Sequence, residues 1–207
     1  MTDVTTAADP AAIEIEGLTR SAFIVKGALV AGSVYGGMAI APFVSEALAQ
    51  SGGGDVEVLN FALTLEYLEA AFYEKAVDLR LDSSTKQLAQ LLGSHEAAHV
   101  AALTQTIRKL GGKPVAKPAF AFPISDQASF LKLAQVLEDT GVGAYNGAAP
   151  AITSKEVLAA AGSIVQVEAR HAAAIRLANR VLPAPAAFDQ ALTKDQVLPK
   201  VKPLIKG

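Results

Sequence analysis

The sequence contains no cysteine, which excludes several kinds of functional site. Disulfides, cysteine-ligated zinc, iron–sulfur clusters and thiol nucleophiles are all ruled out, so any bound metal must be held by carboxylate and imidazole groups. Aromatic residues make up only 6% of a chain that is 51% hydrophobic. Alanine and leucine dominate instead, and this bias favours packed helices over strands.

Clusters of basic residues are also lacking, and the formal net charge of the 207 residues is −2. We therefore expect no nucleic-acid partner. The sequence also offers no nucleotide-binding motif, no recognisable substrate pocket and no docking patch for a reductase. Its three histidines are few enough that the surroundings of each one are informative.

The first quarter of the chain has the layout of an export signal. Two basic residues, Arg20 and Lys26, border a stretch rich in Gly, Ala and Val, which ends in the small residues around Ala49. This order is typical of a cleavable signal peptide. We predict a targeting segment at 1–49, cleavage near Ala49, and an exported domain at 50–207 in the periplasm, the cell envelope or outside the cell.

Two alternatives to a cleaved signal remain open. The apolar stretch at 26–41 is about as long as a short membrane span needs, although its glycines and the following Pro42 disfavour a permanent span. A cytosolic protein is the other alternative. The segment TRSAFIVK resembles a twin-arginine export signal, but Ser21 stands where the second arginine belongs, so the export route is open.

Four later segments repeat apolar residues every three or four positions, which predicts four helices. The first three helices are predicted at 55–79, 84–110 and about 125–150. The fourth is predicted to begin at a capping box formed by Thr153 and Glu156 and to end before Pro183. In each helix, polar residues interrupt the apolar face about midway. The proline-rich segment 111–123 fits a long crossover better than a tight turn.

The polar interruptions repeat at a constant offset. Glu138 follows Glu66 by 138 − 66 = 72 residues. The same offset relates four pairs: Glu66 with Glu138, Glu96 with Glu168, His99 with His171, and Tyr73 with Tyr145. The chain therefore reads as two similar helical hairpins. We predict an all-α fold, a four-helix bundle of two hairpins joined by a crossover, with a C-terminal tail.

The second helix of each hairpin carries Glu-x-x-His, whose two side chains can reach one point because they lie one turn apart. Together with one Glu from each remaining helix, this set is typical of di-iron and di-manganese carboxylate centres in bundles. Four carboxylates also balance the charge of two divalent ions. We predict the metal ligands to be Glu66, Glu96, His99, Glu138, Glu168 and His171.

The sequence leaves the roles of four other residues open. His95 has Val167 at the repeat position, so we interpret it as an outer neighbour of the site or as a surface residue. Glu69 can compete with Glu66 or orient a ligand, but its counterpart is Gly141, so Glu66 is preferred. For Tyr73 and Tyr145 we weigh core packing against a catalytic role, as a hydrogen-bond donor to a ligand or as an electron relay.

The segments LNFALTLEYLEAAFY, SHEAAHVAAL, LAQVLEDTGVGAY and VQVEARHAAAIR resemble the four helices of the ferritin-like superfamily. They are most similar to bacterial, often exported "ferritin-like domain" proteins related to desiccation-associated proteins. The resemblance covers about residue 55 to the C-terminus and implies the same six ligands. Three features argue against the better-known branches of this superfamily. The proline-rich tail argues against a storage cage, the absence of Met after Met38 argues against a bacterioferritin-type haem site, and the absence of Cys excludes a rubrerythrin.

Two functions follow as expectations. The first is a redox enzyme whose two divalent ions, iron favoured over manganese, react with O2 or peroxide, as in ferroxidase, peroxidase or catalase-like chemistry. The second is a non-catalytic metal-binding protein of the envelope, used in stress or desiccation. The electron donor is open in the first case, and a homo-oligomer is open in both.

Overall fold

Four long helices make up most of the described chain. The structure is a computed structural model and describes residues 54–206. The helices are α1 Asp55–Ala76, α2 Ser83–Lys109, α3 Gln127–Ala148 and α4 Lys155–Ala178. The predicted all-α bundle is therefore confirmed. The predicted signal segment, its cleavage site and the start of the mature domain at 50–53 lie outside the described residues.

The helices pair as two hairpins, as predicted. The most extensive contacts join α1 to α2 and α3 to α4, and smaller contacts join α1 to α3 and α2 to α4. The crossover between the hairpins is fastened to α1 by Asn60. Its amide nitrogen donates to the Lys113 carbonyl at 3.1 Å, and its amide oxygen accepts from the Val115 N–H at 2.7 Å. Among the described residues, no helix is both long and apolar enough to cross a membrane.

The helix starts follow local capping, with one correction to the prediction. Asp82 caps α2 by accepting from the Thr85 N–H, and Asp126 caps α3 in a capping box with Ser129. The predicted cap of the fourth helix at Thr153 is wrong by one residue, because Ser154 holds that position. Thr153 instead donates its N–H to Asp55 at the start of α1, at 2.7 Å.

The core is divided into two apolar clusters. One is centred on Phe72 and Phe130, and the other on Leu63 and Ile107. On every long helix, the predicted Glu and His ligands fall between residues of the first cluster and residues of the second. The polar residues are therefore enclosed at both ends by apolar side chains, which separate them from bulk water.

The C-terminal tail has more structure than the sequence analysis predicts. It forms a short helix, α5 Lys194–Val201, that packs on α3. It ends in the strand β2 Ile205–Lys206, which pairs antiparallel with β1 Ala119–Phe120 of the crossover. The tail thus joins the crossover to the second hairpin. The helix boundary at residue 76 also differs from the predicted 79, because the chain leaves α1 through successive tight turns at Val77 and Asp78.

Two glycines on one face of α3 allow the tail to approach closely. The Leu192 N–H donates to the Gly143 carbonyl at 2.8 Å. A Cβ at Gly143 would stand 2.6 Å from the Leu192 side chain, and one at Gly147 would stand 2.0 Å from the Leu192 carbonyl oxygen. Because a backbone atom blocks position 147, the tail has to move if a side chain is added there.

We expect Gly147→Ala to destabilise the fold by about 1–3 kcal/mol, the usual cost of overpacking a close contact. Gly162→Ala in α4 is the matched control. An added Cβ there meets nothing within 4 Å, so the substitution should stabilise the helix by up to about 1 kcal/mol. Urea unfolding of both variants tests this. Equal effects of the two substitutions would contradict the close packing of the tail.

Candidate metal centre

The six predicted ligands meet in the middle of the bundle. Each of the four long helices contributes, because each presents its polar residues on the face that is otherwise apolar. None of the four glutamates has exposed surface, and the two histidines are 9% and 3% exposed. The contributions are Glu66 from α1, Glu96 and His99 from α2, Glu138 from α3, and Glu168 and His171 from α4.

The six residues form two groups of four that share two members. In each group, one potential ligand atom from every residue lies within 4.8 Å of the others. The groups, which we call the His99 tetrad and the His171 tetrad, are Glu66–Glu96–His99–Glu168 and Glu96–Glu138–Glu168–His171. Glu96 and Glu168 belong to both tetrads, so they have the arrangement of bridging carboxylates.

The His99 tetrad has the spacing of a coordination shell. His99 Nδ1 lies 2.9 Å from Glu168 Oε1, 3.2 Å from Glu66 Oε2 and 3.2 Å from Glu96 Oε2. One ring N–H cannot make good hydrogen bonds to three oxygens at once. Bonds of about 2.1 Å to an octahedral ion would put neighbouring ligand atoms about 3.0 Å apart. The four groups thus converge as ligands of one ion do.

The His171 tetrad contains several buried polar atoms without hydrogen bonds. His171 Nδ1 lies 2.9 Å from Glu96 Oε1, but the two atoms do not form a hydrogen bond. Neither oxygen of Glu168 forms a hydrogen bond within the described residues, although Oε1 lies close to His99. An orphaned buried polar atom costs about 1–3 kcal/mol, so native proteins rarely leave several together. Oxygen and nitrogen donors of this kind fit a divalent metal ion.

Two tyrosines hold the outer carboxylates, each from the opposite hairpin. The Tyr145 hydroxyl donates to Glu66 Oε1 at 2.5 Å, and the Tyr73 hydroxyl donates to Glu138 Oε1. Both rings are buried. These bonds correspond to one of the alternatives weighed for the tyrosines, although the rings also contribute to the apolar clusters.

His95 contacts the site from outside. Its Nδ1 lies 2.9 Å from His171 Nε2, and the two rings stack with centroids 5.2 Å apart. His171 therefore presents Nδ1 to the carboxylates while its other nitrogen is held. A hydrogen-bond partner on the outer nitrogen of a metal-binding histidine fixes the orientation of the ring, and His95 can do so here. Of the two interpretations of His95, the structure thus supports the outer neighbour.

Glu69 is the residue that sequence reasoning undervalued. Its side chain is only 3% exposed, and its Oε1 lies 3.0 Å from the position that a Cβ of Gly141 would occupy. The Glu168 Oε2 lies 3.6 Å from the same position. Glu69 belongs to neither tetrad. The signal in the sequence was the pairing of Glu69 with a glycine at the repeat position, which makes room for the carboxylate.

Burial shifts the acid–base properties of the carboxylates. Loss of hydration raises the pKa of Glu66 to about 7, despite the opposing effect of His99. Burial also raises the pKa of Glu138, and it raises that of Glu168 well above the usual range. Without positive charge nearby, these groups resist ionisation. A cation at the centre would remove that resistance.

The pKa values of the two imidazoles are raised as well, which for a histidine favours the charged form. Burial alone lowers the pKa of His99, but the contacts with Glu168 and Glu66 outweigh it and raise this pKa to about 12. In the same way, Glu138 and Glu96 outweigh burial at His171 and raise its pKa to about 10. The strong field of the carboxylates therefore attracts positive charge, and the cluster can hold a metal ion.

A helical bundle with a buried carboxylate–imidazole cluster has the arrangement in which bundle proteins can hold metal ions between their helices. The chain belongs to the ferritin-like domain family, whose signature matches residues 54–180. This match confirms the resemblance to the ferritin-like superfamily.

Comparison with solved structures supports the same architecture. The chain is similar to a conserved hypothetical protein, rv2844, from Mycobacterium tuberculosis, with a TM-score of 0.58 and 18% identity. The match covers 67% of this chain and 99% of that one. At this identity the likeness shows the fold alone. No curated protein matches the chain significantly.

We expect the double variant Glu96→Gln, Glu168→Gln to lose metal binding, because both tetrads lose their shared carboxylates. Mn(II) at 100 times its dissociation constant should stabilise the wild-type protein by about 2.7 kcal/mol and the variant by nothing. Thermal unfolding with and without the ion measures this. Glu74→Gln, which changes an exposed glutamate on α1, is the control and should respond like the wild type.

Proposed function

We propose that the protein is a di-metal carboxylate oxidoreductase that reacts with O2 or peroxide. The observation that carries this proposal is the pair of tetrads sharing Glu96 and Glu168. Two shared carboxylates would hold two ions within reach of one small molecule, which is how two-metal sites act. Iron is the expected metal and manganese the second choice, since both accept carboxylate and imidazole ligands.

When bound, a pair of ferrous ions supplies two electrons, enough to reduce one peroxide with two protons to two waters. The chain itself supplies the shape of the site. The hydroxyls of Tyr73 and Tyr145 keep Glu138 and Glu66 oriented, and they are close enough to pass an electron or a proton. The apolar clusters on either side exclude water. Repeated turnover would require an electron donor, whose identity is open.

A non-catalytic role is the second candidate, and the burial of the site favours it. All four glutamates lack exposed surface, and the most exposed of the six ligands, His99, is only 9% exposed. Ions held this deeply exchange slowly with solvent. The protein would then bind metal for stability or sequestration in the cell envelope, under stress or desiccation.

Oxidation of iron separates the two candidates. We expect the metal-free protein to bind about two Fe(II) per chain in the absence of oxygen. When O2 or peroxide is then added, the bound iron should be oxidised promptly. Absorbance of ferric iron follows the reaction. Tyr73→Phe should keep the stoichiometry and slow the oxidation about 10–100-fold, as changes beside metal ligands commonly do. Tight binding without oxidation would favour the second candidate.

We propose for both candidates that the mature protein lies outside the cytoplasm, and the layout of the N-terminal segment supports this. We expect N-terminal sequencing of the protein from its own host to begin at Gln50. A mature chain that retains Met1 would contradict export by a cleaved signal.

A further inference from the structure

The two hairpins match closely at the site but differ at two positions. Glu69 of the first hairpin corresponds to Gly141 of the second, and His95 corresponds to Val167. At both positions the first hairpin has a side chain that can bind a metal or support a metal ligand, and the second hairpin has none. The two tetrads are therefore not equivalent, although their ligands are.

Glu69 is a carboxylate that is only 3% exposed and belongs to neither tetrad. Its Oε1 lies in the space that Gly141 leaves, close to the Oε2 of Glu168, and that Glu168 oxygen forms no hydrogen bond within the described residues. A buried carboxylate ionises readily only where a cation lies nearby. Glu69 thus adds a carboxylate to those of the six ligands, beside the Glu168 that both tetrads share.

The contacts of Glu69 lie on the side of the His171 tetrad. Gly141 follows Glu138 by one turn of α3, and Glu138 belongs to that tetrad alone. Tyr73 follows Glu69 by one turn of α1, and its hydroxyl reaches Glu138. Burial raises the pKa of Glu69 well above the usual range, and the charges of Glu168 and Glu138 raise it further.

His95 acts on the same tetrad. It holds Nε2 of His171 at 2.9 Å, which keeps Nδ1 directed at Glu96. His99 has no corresponding partner for Nε2 among the described residues, since Val167 replaces the second histidine. The ring of His171 therefore loses less freedom when it binds an ion.

We propose that the two ions bind with unequal affinity, and that the His171 tetrad is the tighter site because Glu69 adds a fourth carboxylate beside its three and His95 orients its imidazole. This inference rests on the proposed two-metal centre. It identifies Glu69 and His95 as positioning and affinity-determining residues. Groups of this kind commonly change metal affinity 10–100-fold.

Calorimetric titration of the metal-free full chain with Mn(II) tests the proposal. The wild type should bind two ions in two steps whose dissociation constants differ by at least about tenfold. Two pseudo-symmetric variants assign the steps. Glu138→Gln should remove the tighter step, and Glu66→Gln should remove the weaker one. Equal steps in the wild type, or the reverse assignment, would overturn the proposal.

The role of Glu69 is tested by Glu69→Gln, which keeps the shape of the side chain. We expect it to weaken the tighter step about tenfold or more and to leave the weaker step unchanged. Gly141→Ala is a second route to the same result, because its Cβ would displace Glu69 Oε1 from 3.0 Å. His95→Ala should act in the same direction. Glu74→Gln, on the exposed side of α1, should change neither step.

An unchanged tighter step in both Glu69→Gln and Gly141→Ala would refute the role of Glu69. These outcomes are independent of the reaction with oxygen. Unequal binding without iron oxidation would leave this inference standing and remove the proposed enzyme. Iron oxidation with two equal binding steps would do the opposite.

Discussion

The structure depends on keeping five carboxylates inside a helical core. Glu66, Glu69, Glu96, Glu138 and Glu168 are all buried, and carboxylates without compensation at such positions would cost several kcal/mol each. The fold partly offsets this cost with two tyrosine hydroxyls and two imidazoles. A cation at the centre would supply the remaining compensation. Metal binding would therefore stabilise the fold, and the apolar clusters strengthen this link by excluding water.

The paired architecture and the ligand set were accessible from the sequence because they are periodic. Helical spacing predicts the four long helices, and the constant offset alone aligns Glu96 with Glu168 and His99 with His171. A ligand set that repeats in this way constrains the geometry strongly, since side chains on matching faces of matching helices can meet only near the axis that relates the hairpins.

The features that sequence reasoning missed are those that break the repeat or depend on tertiary contacts. Thr153 looked like a helix cap, but a distant side chain, Asp55, uses its N–H. The packing of the tail depends on Leu192 meeting the α3 backbone at Gly143, and local patterns do not encode such a meeting. Glu69 was discounted for lacking an acidic counterpart, although the glycine opposite it was the better clue.

The crossed tyrosines have a consequence for the ancestry of the chain. Tyr73 serves the glutamate of the second hairpin and Tyr145 serves that of the first, and each tetrad takes members from both. One hairpin alone can complete neither tetrad. If the repeat arose by duplication of a single hairpin, that ancestor had to work as a homodimer. Fusion of the two copies then allowed each hairpin to change independently. The difference between Glu69 in one hairpin and Gly141 at the matching position of the other could not arise between two identical chains.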